Sequence, residues 1–529
     1  MVENKQNLRP KPVVLIVLDG WGITTPYAGN AISLANTPNI NGYLTKYPSA
    51  TLMASGEGVG LPWGESGNSE VGHLNLGLGR ILYQNLPKIN KAIADRSFYE
   101  NKTLLKAIEQ VKSKNSKLHL IGLVSNGCVH ASLEHLQALI EMARQNKVEN
   151  FFVHAILDGR DAPFNSGLNF VQELERSLIG TGGKIASLHG RFYAMDRDNH
   201  WDRTAKAYEA MTLGSGEKYE SAQKAVEASY KKKIYDEEFM PAVIAKNDKP
   251  LAIIEDGDAV ILFNYRPDRA RQITKAFVLP GFEKFKREKY LNVFFAGMVE
   301  YEASLPMEIV YPSEVIKNTL GEVLAREGLK QLRIAETEKY AHVTYFFNGG
   351  QEKKSAGEDQ VLVHSPAVSS YDSKPEMSAL ELTDKVLAAV EQESYDFILI
   401  NFANADMVGH TGNLQATIKA IETIDKCLSK IVKAVLSKSG LLLVTADHGN
   451  AEELFNMQTG MIDKEHSANP VPFIFISQAY EGKSLSFGDA PGGDLSLVKP
   501  IGMLSDIAPT ILKIMGIQKP KEMTGRSLI

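Results

Sequence analysis

Cysteine is almost missing: Cys128 and Cys427 are the only two in 529 residues. That excludes a disulfide framework and predicts a reducing compartment, the cytoplasm. Nor is there an excess of basic charge. Lys and Arg number 58 against 63 Asp and Glu, a net charge of −5, so nothing in the chain as a whole attracts nucleic acid or an anionic membrane. No apolar run approaches the roughly eighteen residues that a bilayer-crossing helix needs. The polar opening MVENKQNLRPKP has neither a charged-then-apolar leader nor a small-residue cleavage site, so no signal peptide is expected. Low-complexity tracts and solenoid repeats are also missing. What remains is ordinary globular composition in a chain longer than the roughly 250 to 300 residues one core sustains, which predicts at least two domains.

Seven apolar runs end in polar or glycine residues: VVLIVLDG (13–20), LHLIGLVSNG (118–127), FFVHAILDG (151–159), AVILFNYR (259–266), FILINFAN (397–404), LLLVTADHG (441–449) and VPFIFIS (471–477). Such runs read as buried strands. Helical periodicity separates several of them, in LEHLQALIEMARQN, NFVQELERSLIG, SALELTDKVLAAVEQ and LQATIKAIETIDKCLSKIVKAVLSK. The alternation predicts an α/β fold with largely parallel sheets, whose ligand-handling residues gather where strands end. Segments 82–90 and 299–313 lack clear periodicity, contain proline and are read as crossings between domains.

Metal-type side chains stand at several of these strand ends. Asp19 closes the first run, and Asp406 and His410 lie four apart in NADMVGHTG, a spacing that puts both on one face of a helical turn. Asp447 and His448 are adjacent in TADHG, and His466 lies in KEHSANPVP. Singly, each has a plainer alternative as a turn former, a cap, or a core or surface histidine. Together, three carboxylates and three imidazoles without a thiolate suit Mn, Zn or a similar divalent ion. Two such ions about 3.5 to 4 Å apart would clamp the attacking and leaving oxygens of a phosphoryl transfer.

GESGNSEVGHLNLGLGR (64–80) places Ser69 in a glycine-rich turn before an apolar pattern. Its hydroxyl could be merely an N-cap, with Glu70 favouring the positive helix end. Alternatively, glycines 64, 67 and 72 let the backbone approach a phosphate at a helix N-terminus. No partner histidine for a hydrolase triad is apparent, so a nucleophilic Ser69 would rely on metal coordination to ionise.

Residues 120–270 are different in character, with arginines recurring at strand ends beside aspartates: Asp158, Arg160 and Asp161; Arg191, Arg197 and Arg203; Arg266, Asp268, Arg269 and Arg271. Converging guanidinium forks suit a small, doubly anionic ligand, whereas structural Asp–Arg pairing accounts for others, Arg203 and Arg271 among them. His130 and Lys339 are further candidates.

With these residues in view, the chain closely resembles the cofactor-independent phosphoglycerate mutases of the alkaline phosphatase superfamily. VLDGWG, GNSEVGHLNLG, LDGRD, GRFYAMDRD, FNYRPDRARQ, TEKYAHVTYFFNGG, DMVGHTGN and TADHGN appear in family order. The resemblance implies a discontinuous phosphatase-like domain (1–85 and 312–529) with an α/β transferase domain (86–311) inserted in it. It implies two divalent ions, manganese by preference, one held by Asp406, His410 and His466, the other by Asp19, Ser69, Asp447 and His448. It further implies that Ser69 takes phosphate from 3-phosphoglycerate while His130, Arg160, Asp161, Arg191 and Arg197 hold glycerate. Arg266 and Arg269 would grip the phosphoryl end, Lys339 would stabilise charge on the phosphoryl oxygens, and Asp161 would shuttle the proton before the 2-hydroxyl takes the phosphate back. A monomer without nucleic-acid or membrane partners is expected. The sequence departs from the family at Asn126, Cys128, Ala131 and Ser132, in GLPWGES and around His466 in EHSANPVP. Rival readings are a hydrolase of the same superfamily, against which the arginine-rich insertion argues, and a structural metal scaffold, against which a serine among the ligands argues.

Overall fold

Polar residues, not apolar ones, mark the strand that the seven runs leave out of the first sheet's middle: QLRIAE, Gln331–Glu336, in which Gln331, Arg333 and Glu336 are all fully buried. The computed structural model describes residues 9–288, 290–314, 316–456, 459–484 and 493–529. The fold is α/β, with one unit inserted into another: Met1–Gln84 with Val315–Ile529 form the first, and Asn85–Glu314 the second.

The first unit is built on an eight-stranded sheet in the order 358–363, 331–336, 397–402, 13–18, 441–445, 471–476, 49–53, 502–503. Its first five strands run parallel, and the strand Val471–Ile476 is antiparallel to both neighbours. VVLIVL at Val13–Leu18 is buried at every position, as expected of a strand covered on both faces. The 24-residue helix Leu414–Ser437 lays Ala420, Ile421, Ile424, Cys427, Leu428, Ile431 and Val435 in the core, a 3.6-residue stripe in which Cys427 acts as a small hydrophobe.

The second unit has its own sheet and core. Strands 308–309, 294–297, 259–262, 118–123, 151–157 and 184–190 are parallel neighbours in that order, followed by the antiparallel strand 242–246 and then 217–219. Segment 82–90, read from sequence as irregular, instead enters a helix at Asn85–Ala94, with Ile89 and Ala92 buried on one face.

The helix Ser69–Leu78 packs backbone to backbone. A Cβ at Gly77 would stand 1.9 Å from the carbonyl oxygen of Phe347. Gly77→Ala is therefore expected to destabilise the protein by about 1–3 kcal/mol, read as a lowered denaturant midpoint.

Candidate functional site

Four adjacent parallel strands of the first unit deliver functional side chains at their carboxyl ends, the open edge of an α/β sheet. Gln331–Glu336 leads to Lys339, Phe397–Phe402 to Asp406, Val13–Leu18 to Asp19, and Leu441–Thr445 to Asp447 and His448. Ser69 opens its helix but does not cap it: Asn68 is the N-cap, accepting from the amide of Val71. That removes the plain capping role for the serine. Its hydroxyl instead lies 3.2 Å from Asp19 Oδ1 and 2.9 Å from His448 Nε2, and accepts from Lys339 Nζ at 2.8 Å. Gly72 lets the helix sit close, since a Cβ there would be 2.7 Å from Asp447.

Lys339 also stands 2.6 Å from both Asp19 Oδ1 and Asp406 Oδ2. Burial opposes its charge, yet Asp19, Asp406 and Asp447 outweigh burial and raise its pKa. The three carboxylates differ. Burial, then the charge of Asp447, raises Asp19 well above the usual range. Burial also acts on Asp406, but Lys339 and hydrogen bonds from His410 and His466 hold it well below, and His448, His73 and Lys339 do the same for Asp447.

The histidines are aimed by their far nitrogens. Nδ1 of His410 donates to Lys464 O at 2.7 Å, Nδ1 of His466 to Gly67 O at 2.9 Å, and Nδ1 of His448 to Gly449 O at 3.2 Å. Each ring thus turns Nε2 toward the cluster, as backbone carbonyls orient metal-binding imidazoles, and Nε2 of His410 and of His466 face Asp406 Oδ1 at 3.2 and 3.4 Å. His410 and His466 bring these nitrogens within 3.0 Å of each other. Asp447 Oδ2 is buried without a donor. Two groups with ligand atoms in mutual reach, Asp406–His448–His466 and Asp19–Asp447–His448, overlap at His448. The donor set thus fits hard-to-borderline divalent ions. Sequence reasoning missed His73, whose Nδ1 donates to Ser69 O and approaches Asp447 Oδ2 at 3.2 Å. It also missed Asn401 and Asn450, which donate to Asp19 Oδ2 and Asp406 Oδ1. Only the one-turn spacing of Ser69 and His73 is visible in the sequence.

In the second unit, four neighbouring strands do the same. The turn after Phe151–Leu157 carries Asp158 to Asp161, and Arg191 follows Lys184–Gly190. Arg191 is buried, with Nη1 2.5 Å from Asp158 Oδ1 and 2.6 Å from Asp161 Oδ2. Beyond the remaining two strands stand His130 and the Arg266–Arg269 segment. Asp268, given no role from sequence, gathers three of them: it accepts from Arg197 at 2.8 Å and lies 3.2 Å from Arg266 Nε and 3.6 Å from His130 Nδ1. His130 Nε2 faces Asp161 at 3.9 Å, and burial with the charge of Arg191 lowers its pKa to about 4. Burial, then the charges of Arg191, Arg197 and Arg160, lower that of Arg269. Arg160 is half-exposed, 3.5 Å from Glu237. Arg203 stacks on Phe192 and pairs with Asp196, whereas Arg271, read from sequence as part of an Asp–Arg pair, donates to the carbonyl oxygen of Tyr301.

Residues 89–303 match the family described as BPG-independent PGAM N-terminus. The chain is 50% identical over 521 residues to a 2,3-bisphosphoglycerate-independent phosphoglycerate mutase of Clostridium perfringens, covering 98% of this chain and 99% of the relative. It is 51% identical to the enzyme of the same name from Clostridium acetobutylicum, with the same coverage. Among solved structures it resembles a phosphoglycerate mutase of Leishmania mexicana crystallised at low cobalt concentration, at 31% identity and a TM-score of 0.50, covering 98% of both chains.

Proposed function

The chain belongs to the 2,3-bisphosphoglycerate-independent phosphoglycerate mutase family and is an enzyme of that kind. From that premise we propose that it interconverts 3-phosphoglycerate and 2-phosphoglycerate by parking the phosphoryl group on Ser69. The observation that carries this reading is the position of the Ser69 hydroxyl, released from capping by Asn68 and held by Lys339, Asp19 and His448.

In this account Asp406, His410 and His466 hold one divalent ion, and Asp19, Ser69, Asp447 and His448 a second, with manganese the first choice. Bound there, the ions supply Lewis-acid stabilisation of phosphoryl oxygens and lower the pKa of the serine hydroxyl. The protein supplies the rest. Lys339, kept charged by its carboxylates, offers a fixed cation to the oxygens of the group in transfer. In the second unit, Arg191, Arg197, Arg160 and His130 bind glycerate, Arg266 and Arg269 take the phosphoryl end, and Asp161 moves the proton between the two glycerate oxygens. Cytoplasmic location and a monomer complete the reading, the scarcity of cysteine supporting the first.

The test is a product assay on metal-loaded enzyme with 3-phosphoglycerate. Formation of 2-phosphoglycerate without matching inorganic phosphate supports the mutase, and stoichiometric phosphate release would replace it with a phosphatase.

Metal affinity should depend on pH. The hydrogen bond to Asp406 raises the pKa of His410 above its ordinary value, so the ring holds a proton to higher pH, and an incoming ion must displace it. Affinity therefore falls as pH falls, and metal titrations are expected to give binding at least about tenfold weaker at pH 5.5 than at pH 8. Equal affinity at the two values would contradict the assignment of His410.

Asp268→Ala frees Arg197, Arg266 and His130 from their shared anchor. KM for 3-phosphoglycerate is expected to rise about tenfold, the worth of one charge-assisted hydrogen bond, with kcat changed less than KM in initial-rate measurements.

A further inference from the structure

A cavity of about 710 Å³ opens in the first unit and shares no residue with the Ser69 cluster. That volume lies within the range of small-molecule sites, about 300 to 1,000 Å³. Its walls come from two stretches, Lys317 through the helix Leu320–Arg326 and the loop from Asn348 to Ala356. They carry Lys317, Arg326, Lys353 and Lys354 against a single carboxylate, Glu322. Glu322 is already engaged, since it accepts from the amide of Thr319 in a capping box. Among the described residues, none of the three lysines is paired with a carboxylate, and Arg326 donates only to the neutral oxygen of Asn318. In a chain of net charge −5, this is a local concentration of uncompensated cations.

A buried polar cluster lies next to this wall. Arg333 is fully buried, makes one hydrogen bond, to Gln331 Oε1, and leaves Nε and Nη1 without acceptors. Asn348, which lines the cavity, has a buried Oδ1 without a donor. Both border Gly321, where a Cβ would stand 3.1 Å from Asn348 Oδ1, 3.2 Å from Arg333 Nη2 and 3.2 Å from Ser355 Oγ. The nearby carboxylate of Glu358 is taken up by Asn348 Nδ2 and the amide of Ser355.

We propose that this cavity binds a small bisphosphorylated or polyphosphorylated metabolite. Its phosphates meet Lys353, Lys354, Lys317 and Arg326, and its body fills the space between the helix Leu320–Arg326 and the loop 348–356. Spread-out lysines suit several phosphate groups better than one planar carboxylate, which a single arginine fork would take. The mutase reaction has no part in this site.

The test is isothermal titration of the metal-loaded enzyme with fructose 1,6-bisphosphate as probe, in an equilibrated mixture of 3- and 2-phosphoglycerate so that the catalytic arginines are filled. Sulfate at matched ionic strength serves as the control. Saturable one-to-one binding is expected, weakened at least about tenfold in the K353E/K354E variant, whose mutase activity and thermal midpoint match those of the wild type because both lysines are exposed. The proposal is overturned by any of three outcomes: no saturable binding, equal binding by the variant, or the same response to sulfate.

Discussion

Ser69→Ala should lower mutase turnover by at least about 10³-fold, in line with the loss of an essential nucleophile in other covalent mechanisms, while leaving the protein folded. Both halves follow from the geometry. Asn68 caps the helix through Val71, so removal of the Ser69 oxygen leaves that amide satisfied. The hydroxyl accepts from Lys339 and lies against Asp19 and His448, but Lys339 keeps both carboxylate partners without it. The variant should therefore unfold at nearly the wild-type denaturant concentration and retain bound metal, assayed by elemental analysis. Activity preserved in metal-replete Ser69→Ala would remove the phosphoserine from the mechanism.

Arg191→Met should be harmful in two separable ways. The side chain is buried between Asp158 and Asp161, and its removal leaves two carboxylates facing each other without a cation. Breaking a buried pair this way costs about 3–5 kcal/mol, read from urea unfolding. The sign with pH is specific. Burial pushes the pKa of Asp158 up, but Ser125, the amide of Asp161 and Arg191 together hold it below its ordinary value, so its contribution is full at neutral pH and fades as pH falls through that lowered pKa. In the methionine variant the order reverses, and mild acid, by protonating the orphaned carboxylates, should recover part of the stability. Catalysis is lost on top of this, with kcat/KM down at least about 100-fold from losing a bidentate anion grip. Arg191→Lys separates the two effects, since it restores the charge and much of the stability without the planar fork, so KM should remain high.

How far this was legible without coordinates depends on the range of each interaction. The strands at 13–18, 397–402 and 441–445 declare themselves by predominantly apolar sequence, and with them came Asp19, Asp406 and Asp447 at their ends. Gln331–Glu336 did not, because three of its six side chains are polar and yet buried, with Arg333 bonded to Gln331 inside the strand and Gln331 and Glu336 also bonded to Gly321 and Ser378 outside it. Lys339, just beyond that strand, was consequently a weak candidate on its own residues although it proves to touch Ser69, Asp19 and Asp406. Asn68 as the cap is a contact over three residues and could have been read. Asn401 donating to Asp19 spans 382 residues, and no local pattern encodes it. Asp268 was seen as one more partner in an Asp–Arg segment, and only the fold brings Arg197 and His130 to it.

In the proposed mechanism the phosphoryl group rests on Ser69 and returns to glycerate. The most direct measurement is to quench metal-loaded enzyme in acid during turnover of 3-phosphoglycerate, digest it and weigh the peptide that contains Ser69. The account predicts a fraction of that peptide heavier by one phosphoryl group, mapped to Ser69, and absent both in Ser69→Ala and after metal is removed. A phosphorylated peptide elsewhere in the chain, or none at any quench time while 2-phosphoglycerate accumulates, would contradict it.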